Sequence, residues 1–400
     1  MANQFSANAP ALGYLYQIRY SLLVLLQKIR YEPEIEISIE QLDDVAFEKE
    51  GEPIELFQLK HHINTRASLS NASSDLWKTI RVWSEYLVKN PGSFNDLLLI
   101  LITTSNAPNS SIADKLRRND KREETQALED LIDVATDSSS ESNAPCYRAF
   151  LSLSDEQKQL LISKIYIVDA SPNIQDVERK ILREISVASR FPEALKTRLE
   201  GWWFKRAVDH LADTNRNTIK GFELQSKIYD LQDEFRPENL PNDFPEIVEM
   251  NEEELNEDER LFVEQLRLIL IGQTRLRIAI GDYYRAFHQR SKWLNEGLLF
   301  PGELEKYESY LVGEWRRQFE IMREDMGESS LTQERMAELG KALFRWAETS
   351  SFTPIRPNFL DSFLSRGSYH MLANKFQIGW HPEFTERLGH LIEQAANQVV

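Results

Sequence analysis

Gln58 and Lys60 stand two apart in PIELFQLKHH (Pro53–His62). If that segment is a strand, side chains two apart share a face. Gln58 and Lys60 then project together, and Phe57 and Leu59 face a core. Just upstream lie Glu40 and the pair Asp43–Asp44. An acidic strand beside the Gln-x-Lys strand brings a carboxylate, a neutral oxygen and an ammonium into one pocket. That set suits phosphodiester hydrolysis. An Asp carboxylate and the Gln58 side-chain oxygen are hard ligands of the kind Mg²⁺ takes, a cation that keeps several waters and uses few protein ligands. Lys60 is placed to stabilise the charge that builds on phosphorus in the transition state. Gln17, in the first helix, can add a hydrogen bond to the site. Asp43 is adjacent to Asp44, and strand parity does not decide which of the two is the ligand.

Each of these residues also has a plainer reading. An edge-strand lysine guards against aggregation. An Asp-Asp pair often marks a turn. His61 and His62 are candidate metal or phosphate ligands, but neighbouring strand residues face opposite sides, so one site cannot easily use both. The sequence favours at most a supporting role for His61.

The elements that would position these residues follow from periodicity. From Pro10 to about Arg30, Tyr14, Leu15, Ile18, Leu22, Leu25, Leu26 and Ile29 recur at helical spacing. Strand patterns follow at Glu34–Glu40, Val45–Glu48 and Pro53–His62, with a turn at Gly51–Glu52. A helix at Asp75–Val88 leads to the apolar strand Leu97–Thr104. A strand–helix–strand crossover points to a sheet with parallel pairs. Asn106–Pro145 is polar and reads as a mobile insertion. A helix (Asp155–Lys164), a strand (Ile165–Val168) and a capped helix (Asn173–Ile185) resume the pattern, and Gly201–Leu211 closes the domain with a helix. After about Asn217 strand signals fade. Helical periods run through Ile219–Phe235, Asn251–Ile269, Gln273–Leu299, Gly302–Met326 and Thr332–Glu348. The expected architecture is therefore an α+β or α/β domain over residues 1–215, a mixed sheet flanked by helices. An all-α domain over 216–400 follows it.

Composition narrows the functional classes. A chain of 400 residues that is 42% hydrophobic has room for two ordinary cores. The longest apolar run, Leu97–Ile102, falls far short of the ~20 residues of a membrane span. The opening MANQFSANAP lacks a signal-peptide layout. The single cysteine, Cys146, excludes an internal disulfide framework and any multi-cysteine zinc site. A cytoplasmic protein is expected. No G-x-x-x-x-G-K-[ST] loop occurs, which argues against a nucleotide-driven switch. The net charge of −17 predicts weak DNA binding by the chain alone. In the C-terminal half, the aromatic residues Tyr283, Tyr284, Phe287 and Trp293 read as helix core. The basic run Arg275, Arg277, Arg285, Arg290 and Lys292 reads as a solvated or ion-paired face, with partner binding as the alternative. The acidic stretch Glu252–Glu259 reads as solvent-facing.

The order helix, acidic segment, turn and Gln-x-Lys strand resembles the PD-(D/E)xK nuclease superfamily, in the variant with Gln replacing an acid. GYLYQIRYSLLVLL, IEQLDDVAFE and IELFQLKHH resemble the nuclease domains of bacterial anti-phage effectors. RAFHQRSKWLNEGLL, ELEKYESYLVGEW, FRWAE and RGSYHMLANKFQIGWHPEF resemble the C-terminal domain of ABC-three-component systems. Together they are similar to the LmuA family, the nuclease effectors of Lamassu defence. The resemblance implies a restriction-endonuclease-like domain that cuts double-stranded DNA with Mg²⁺ or Mn²⁺. It maps the catalytic acid to Asp44 and the remaining pair to Gln58 and Lys60. It also implies an SMC-like ATPase (LmuB-like) and a small adaptor (LmuC-like) that hold the nuclease inactive. On release the nuclease forms a homo-oligomer. The ATPase partner would supply much of the DNA contact that so acidic a chain lacks.

Overall fold

The computed structural model describes residues 8–62, 67–245, 258–326, 332–350 and 352–397. The chain divides into two compact units, Met1–Gln232 and Asp233–Val400.

The first unit is built on a mixed six-stranded sheet. Helix α1 (Asn8–Lys28) precedes three antiparallel strands, β1 (Glu36–Ile39), β2 (Val45–Lys49) and β3 (Glu52–Lys60). Helix α2 (Ser74–Lys89) crosses over to β4 (Leu98–Thr103), which lies parallel to β3. After α3 (Ile112–Lys115), α4 (Glu124–Asp137), α5 (Ala144–Leu151) and α6 (Asp155–Lys164), strand β5 (Ile165–Val168) adds parallel to β4. Then come α7 (Ile174–Ile185), α8 (Pro192–Ala212), β6 (Ile219–Lys220) and α9 (Gly221–Glu234). The strand order is β5-β4-β3-β2-β1-β6. Strand β4, LLILIT, is buried along nearly its whole length, as a parallel strand covered on both faces must be.

Local chemistry explains several boundaries. Asn173 caps α7 by accepting from the Gln175 and Asp176 N–H groups, both at 3.0 Å. Ser154 and Gln157 form a reciprocal capping box on α6.

Two expectations need correction. Asn106–Pro145 is not a loose insertion, because it carries α3, α4 and the start of α5. Ala127, Leu131 and Ala135 recur every four residues along α4 and enter the same core as Trp77 and Trp83 of α2. Small residues make a narrow apolar stripe that polar neighbours conceal in the sequence. The unit boundary also falls after Gln232 rather than near Asn215. Ile219–Lys220 pairs antiparallel with β1. Gly221 then donates its N–H to the Ile35 carbonyl at 2.8 Å. A Cβ at Gly221 would come within 2.9 Å of Ile29 and of the Pro33 and Ile35 carbonyls, so only glycine allows this approach.

In the second unit every described element is helical: α10 (Leu261–Leu268), α11 (Gln273–Asn295), α12 (Glu303–Glu324), α13 (Gln333–Thr349), α14 (Phe363–Asn374) and α15 (Phe384–Asn397). Helices α11 and α14 pack most closely, Gly367 lying against the Asp282 backbone and the Ala286 methyl. Phe262, Trp293, Phe344, Tyr369 and Trp380 are fully buried around them. Gln265, also fully buried, donates to the Ala373 carbonyl at 2.8 Å and so ties α10 to the end of α14. Among the described residues no helix is long and apolar enough to cross a membrane.

Candidate active site at the end of the central strands

The β1–β2 connection is short. Glu40 adopts left-handed backbone (φ 55°) and donates its N–H to the Asp44 carbonyl at 3.1 Å. Asp43 and Asp44 thus sit in a turn, not on a strand, and strict alternation does not apply to them. Both reach the site, for different purposes. Strand β2 starts only at Val45, opposite Phe57. The Leu59 N–H therefore lacks a β2 partner, and the Asp44 carboxylate accepts it at 2.7 Å.

Asp43 points inward and is 7% exposed. It accepts from the Trp83 indole N–H at 2.7 Å, from the Asp44 N–H at 2.9 Å and from the Gln58 amide. Burial pushes its carboxyl up to about 7. The hydrogen bonds from Gln58 and Trp83 oppose that rise, and the nearby Asp44 charge adds to it. With its N–H₂ group directed at Asp43, and 3.5 Å from Asp44 Oδ1, the Gln58 amide turns its oxygen outward. That oxygen accepts from Lys60 Nζ at 2.8 Å, and the same ammonium lies 3.7 Å from Asp44 Oδ2.

Glu40 joins from the neighbouring strand end. Burial raises its pKa, and the Asp44 charge raises it further. A hydrogen bond from Gln17 and the Lys60 charge oppose the shift. Gln17, Glu40, Asp43, Asp44, Gln58 and Lys60 therefore form one connected polar cluster. His61 does not share the face of Gln58 and Lys60. Its ring packs 4.7 Å from Tyr16 of α1, and burial, then the neighbouring His62, lowers its pKa. His62 lies on the α2 side instead, with Nε2 2.5 Å from Asp75 Oδ2.

Trp83 and Asp75 had no functional signal in the sequence, and His62, a candidate ligand there, meets Asp75 instead of the cluster. Trp83 reads as one more apolar position of an amphipathic helix. Asp75 reads as an acid in a first helical turn.

Among the described residues no group of three or more His, Cys, Asp or Glu side chains could hold a metal ion. The donor set is smaller than that. Oxygens of Asp44 and Gln58 both face one cationic group, the Lys60 ammonium. Such a pair fits a hard divalent cation that keeps most of its water.

In the second unit, Arg275, Arg285, Arg290 and Lys292 of the basic run form ion pairs, Arg285 with Asp282 at 3.9 Å. Arg275 pairs with Glu348, Arg290 with Glu308, and Lys292 with Asp243 at 3.0 Å. The aromatic set divides. Trp293 is fully buried and donates to the Pro241 carbonyl at 2.9 Å. Tyr283 and Tyr284 instead remain half-buried beside the Arg260 guanidinium, and Phe287 is exposed. Most of the acidic stretch Glu252–Glu259 lies outside the described residues.

No curated protein matches the chain. Residues 262–388 match the family model of C-terminal domain 7 of the ABC-three component (ABC-3C) systems, which supports membership in such a system.

Proposed function

We propose that the chain is the DNA-cutting effector of an ABC-three-component anti-phage system. Its first unit would be a restriction-endonuclease-like nuclease, and its second would bind the partner subunits. One observation carries the nuclease reading: the convergence of Lys60 Nζ on Gln58 Oε1 at 2.8 Å and on Asp44 Oδ2 at 3.7 Å, at the end of the central strands. An antiparallel β1–β2–β3 meander followed by a parallel β4 through α2 is consistent with that fold.

In this reading Asp44 and Gln58 hold Mg²⁺ or Mn²⁺, and Lys60 faces the scissile phosphate. A bound divalent cation would supply charge that polarises the phosphate and makes water a better nucleophile. The protein's part is preorganisation. Asp43 and Trp83 fix the Gln58 amide so that its oxygen faces outward. The Leu59 N–H fixes one Asp44 oxygen. Lys60 presents a compact positive charge where the transition state gains negative charge. Gln17 restrains Glu40 at the rim.

The net charge of −17 fits a chain that relies on others for DNA affinity. An SMC-like ATPase and a small adaptor, as such systems imply, would deliver DNA and restrain the nuclease in the cytoplasm. Self-association after release would multiply weak contacts.

A second reading is a degenerate nuclease fold that only bridges partners. Gln58 in an acid's position favours it, as does the lack of a three-ligand cluster among the described residues. Incubating the purified chain, alone and with its partners, with linear and circular duplex DNA and Mg²⁺ separates the two. Cutting supports the effector. Stable partner binding with no cutting in any combination supports the bridge.

A further inference from the structure

Resting on the nuclease reading above, we propose that His62, held by Asp75, is a second catalytic residue, which protonates the bridging oxygen that leaves when the phosphodiester is cut.

Contacts along β3 fix which way its side chains face. Glu55 pairs with Lys28 of α1 at 2.8 Å, Phe57 packs with Phe47 beneath that same lysine, and His61 lies against Tyr16 of α1. Odd-numbered residues thus face α1. Leu56 enters the core with Trp77 and Trp83 of α2, Gln58 meets Asp43 under Trp83, and His62 meets Asp75 at the start of α2. Even-numbered residues face α2. His62 lies just past the end of β3, two residues beyond Lys60, and its contact with Asp75 puts it on the α2 side with Gln58.

The histidine is placed rather than loose. Its backbone N–H donates to Thr104 Oγ1 at 2.8 Å, just past β4. The Asp75 carboxylate holds Nε2 at 2.5 Å. The pair is partly open to solvent, with the His62 side chain 36% exposed and Asp75 22% exposed. Among the described residues Nδ1 has no protein partner. A carboxylate that accepts one ring N–H fixes the orientation of the imidazole and leaves the other nitrogen to meet a ligand.

The chemistry of the site supplies a need for such a group. Two-metal nucleases stabilise the attacking and the leaving oxygen with separate cations. Here one carboxylate and one amide oxygen can support a single cation, and Lys60 answers the charge on the phosphate. Of the other groups that can donate a proton, Lys60 Nζ is held by Gln58 Oε1 and Asp44, Asp43 is buried beneath Trp83, and Glu40 is bonded to Gln17, whereas His62 has a ring nitrogen free to meet the leaving oxygen. In the proposed step a water oxygen bonds to phosphorus and its proton passes to solvent. The bond from phosphorus to the bridging oxygen breaks, and its electron pair stays on that oxygen. The oxygen takes the Nδ1 proton of His62, while the Nε2–H remains hydrogen-bonded to Asp75.

The test uses the full chain, with its partners if cutting requires them, and two duplexes of one sequence. One is natural. In the other the leaving bridging oxygen at the cut position is replaced by sulfur, whose thiolate departs without a proton. His62→Ala should cut the natural duplex about 10²–10⁴-fold more slowly, the usual worth of a general acid. It should cut the sulfur duplex at close to the wild-type rate. Asp75→Asn should show a smaller loss with the same rescue, and it guards against a folding defect in His62→Ala. Lys60→Ala should be slow on both duplexes. Wild-type cutting of the natural duplex by His62→Ala, or an equal loss on both duplexes, overturns the proposal and leaves the nuclease reading standing. A wild-type chain that cuts neither duplex overturns both.

Discussion

The candidate site of the first unit and the Glu303 and Glu308 pairs of the second hold charge on different terms. Glu303 and Glu308, both half-buried, are each matched by an arginine. Arg356, 5% exposed at its side chain, holds Glu303 at 2.7 Å and also donates to the Asn239 and Leu298 carbonyls. Burial alone would raise the Glu303 pKa, yet Arg356 and the Phe300 N–H hold it below the ordinary value. Glu308 is treated the same way by Arg290 and Lys375. In the first unit Glu40, Asp43 and Asp44 crowd around one Lys60. There burial prevails, and Glu40 and Asp43 are both raised. Closed pairs hold helices in place. On the proposed reading, the cluster with more carboxylates than cations is where a further cation would bind. One arrangement sets arginines against glutamates and the other a single lysine against three acids, so the balance of charge differs.

The largest effect expected from this contrast is on stability. Arg356→Ala should cost about 3–5 kcal/mol, because it removes the buried cation that Glu303 and the Asn239 and Leu298 carbonyls share. Lys60→Ala should leave thermal stability nearly unchanged, its side chain being 24% exposed at a site open to water. Denaturant unfolding of both variants checks this, and equal losses would erase the distinction.

Gln58→Glu sharpens the comparison. A further acid beside Asp44 should tighten Mn²⁺ binding by about tenfold or more, since unit charges at ~4 Å interact by several kcal/mol at an effective dielectric near 20. The same change should lower metal-free stability, because it adds charge to a crowded site. Calorimetric titration with Mn²⁺ and melting in chelator read the two effects. Unchanged Mn²⁺ affinity would argue that Gln58 does not face the cation.

A smaller effect comes from pH. Asp43 moves from an ordinary 3.8 to about 7 on folding, so between those values the folded chain holds a proton that the unfolded chain has lost. The stability this contributes is present below about pH 4 and fades as pH rises to 7. Glu303 and Glu308 are lowered from 4.5, so their contribution is present above that value and fades on acidification below it. Going from pH 7 to 5.5 in metal-free buffer should strengthen protection of β2–β3 amides by about 1–2 kcal/mol. It should leave α12, which carries Glu303 and Glu308, unchanged. Hydrogen exchange corrected for intrinsic rates measures both, and a fall at β2–β3 would contradict the assignment.

Periodicity made much of this architecture legible. Helix α6 and strand β5 fall at the residues their patterns mark, and α2 and β4 lie within one residue of theirs. The four C-terminal motifs all lie within residues 262–388, the stretch that matches the ABC-three-component domain. The rest was hidden for physical reasons. Helix α4 buries Ala127, Leu131 and Ala135 within a segment whose polar and acidic residues mask the apolar stripe. The two-residue strand β6 is too short to show a period, so the boundary was placed early. The positions of Asp43 and Asp44 could not be told apart by alternation, because a turn does not alternate. The Trp83–Asp43 and His62–Asp75 pairs link different elements, and no local pattern records such contacts.

The most direct test is cleavage of linear duplex DNA in Mg²⁺ by the wild-type chain and by Lys60→Ala, with circular dichroism to confirm folding. Loss of one preorganised electrostatic contact typically costs ~10²–10³ in rate. Lys60→Arg should restore little, because a planar fork cannot replace a compact ammonium. The account predicts a folded Lys60→Ala protein that binds its partners and does not cut. A folded Lys60→Ala protein that cuts at the wild-type rate would contradict it.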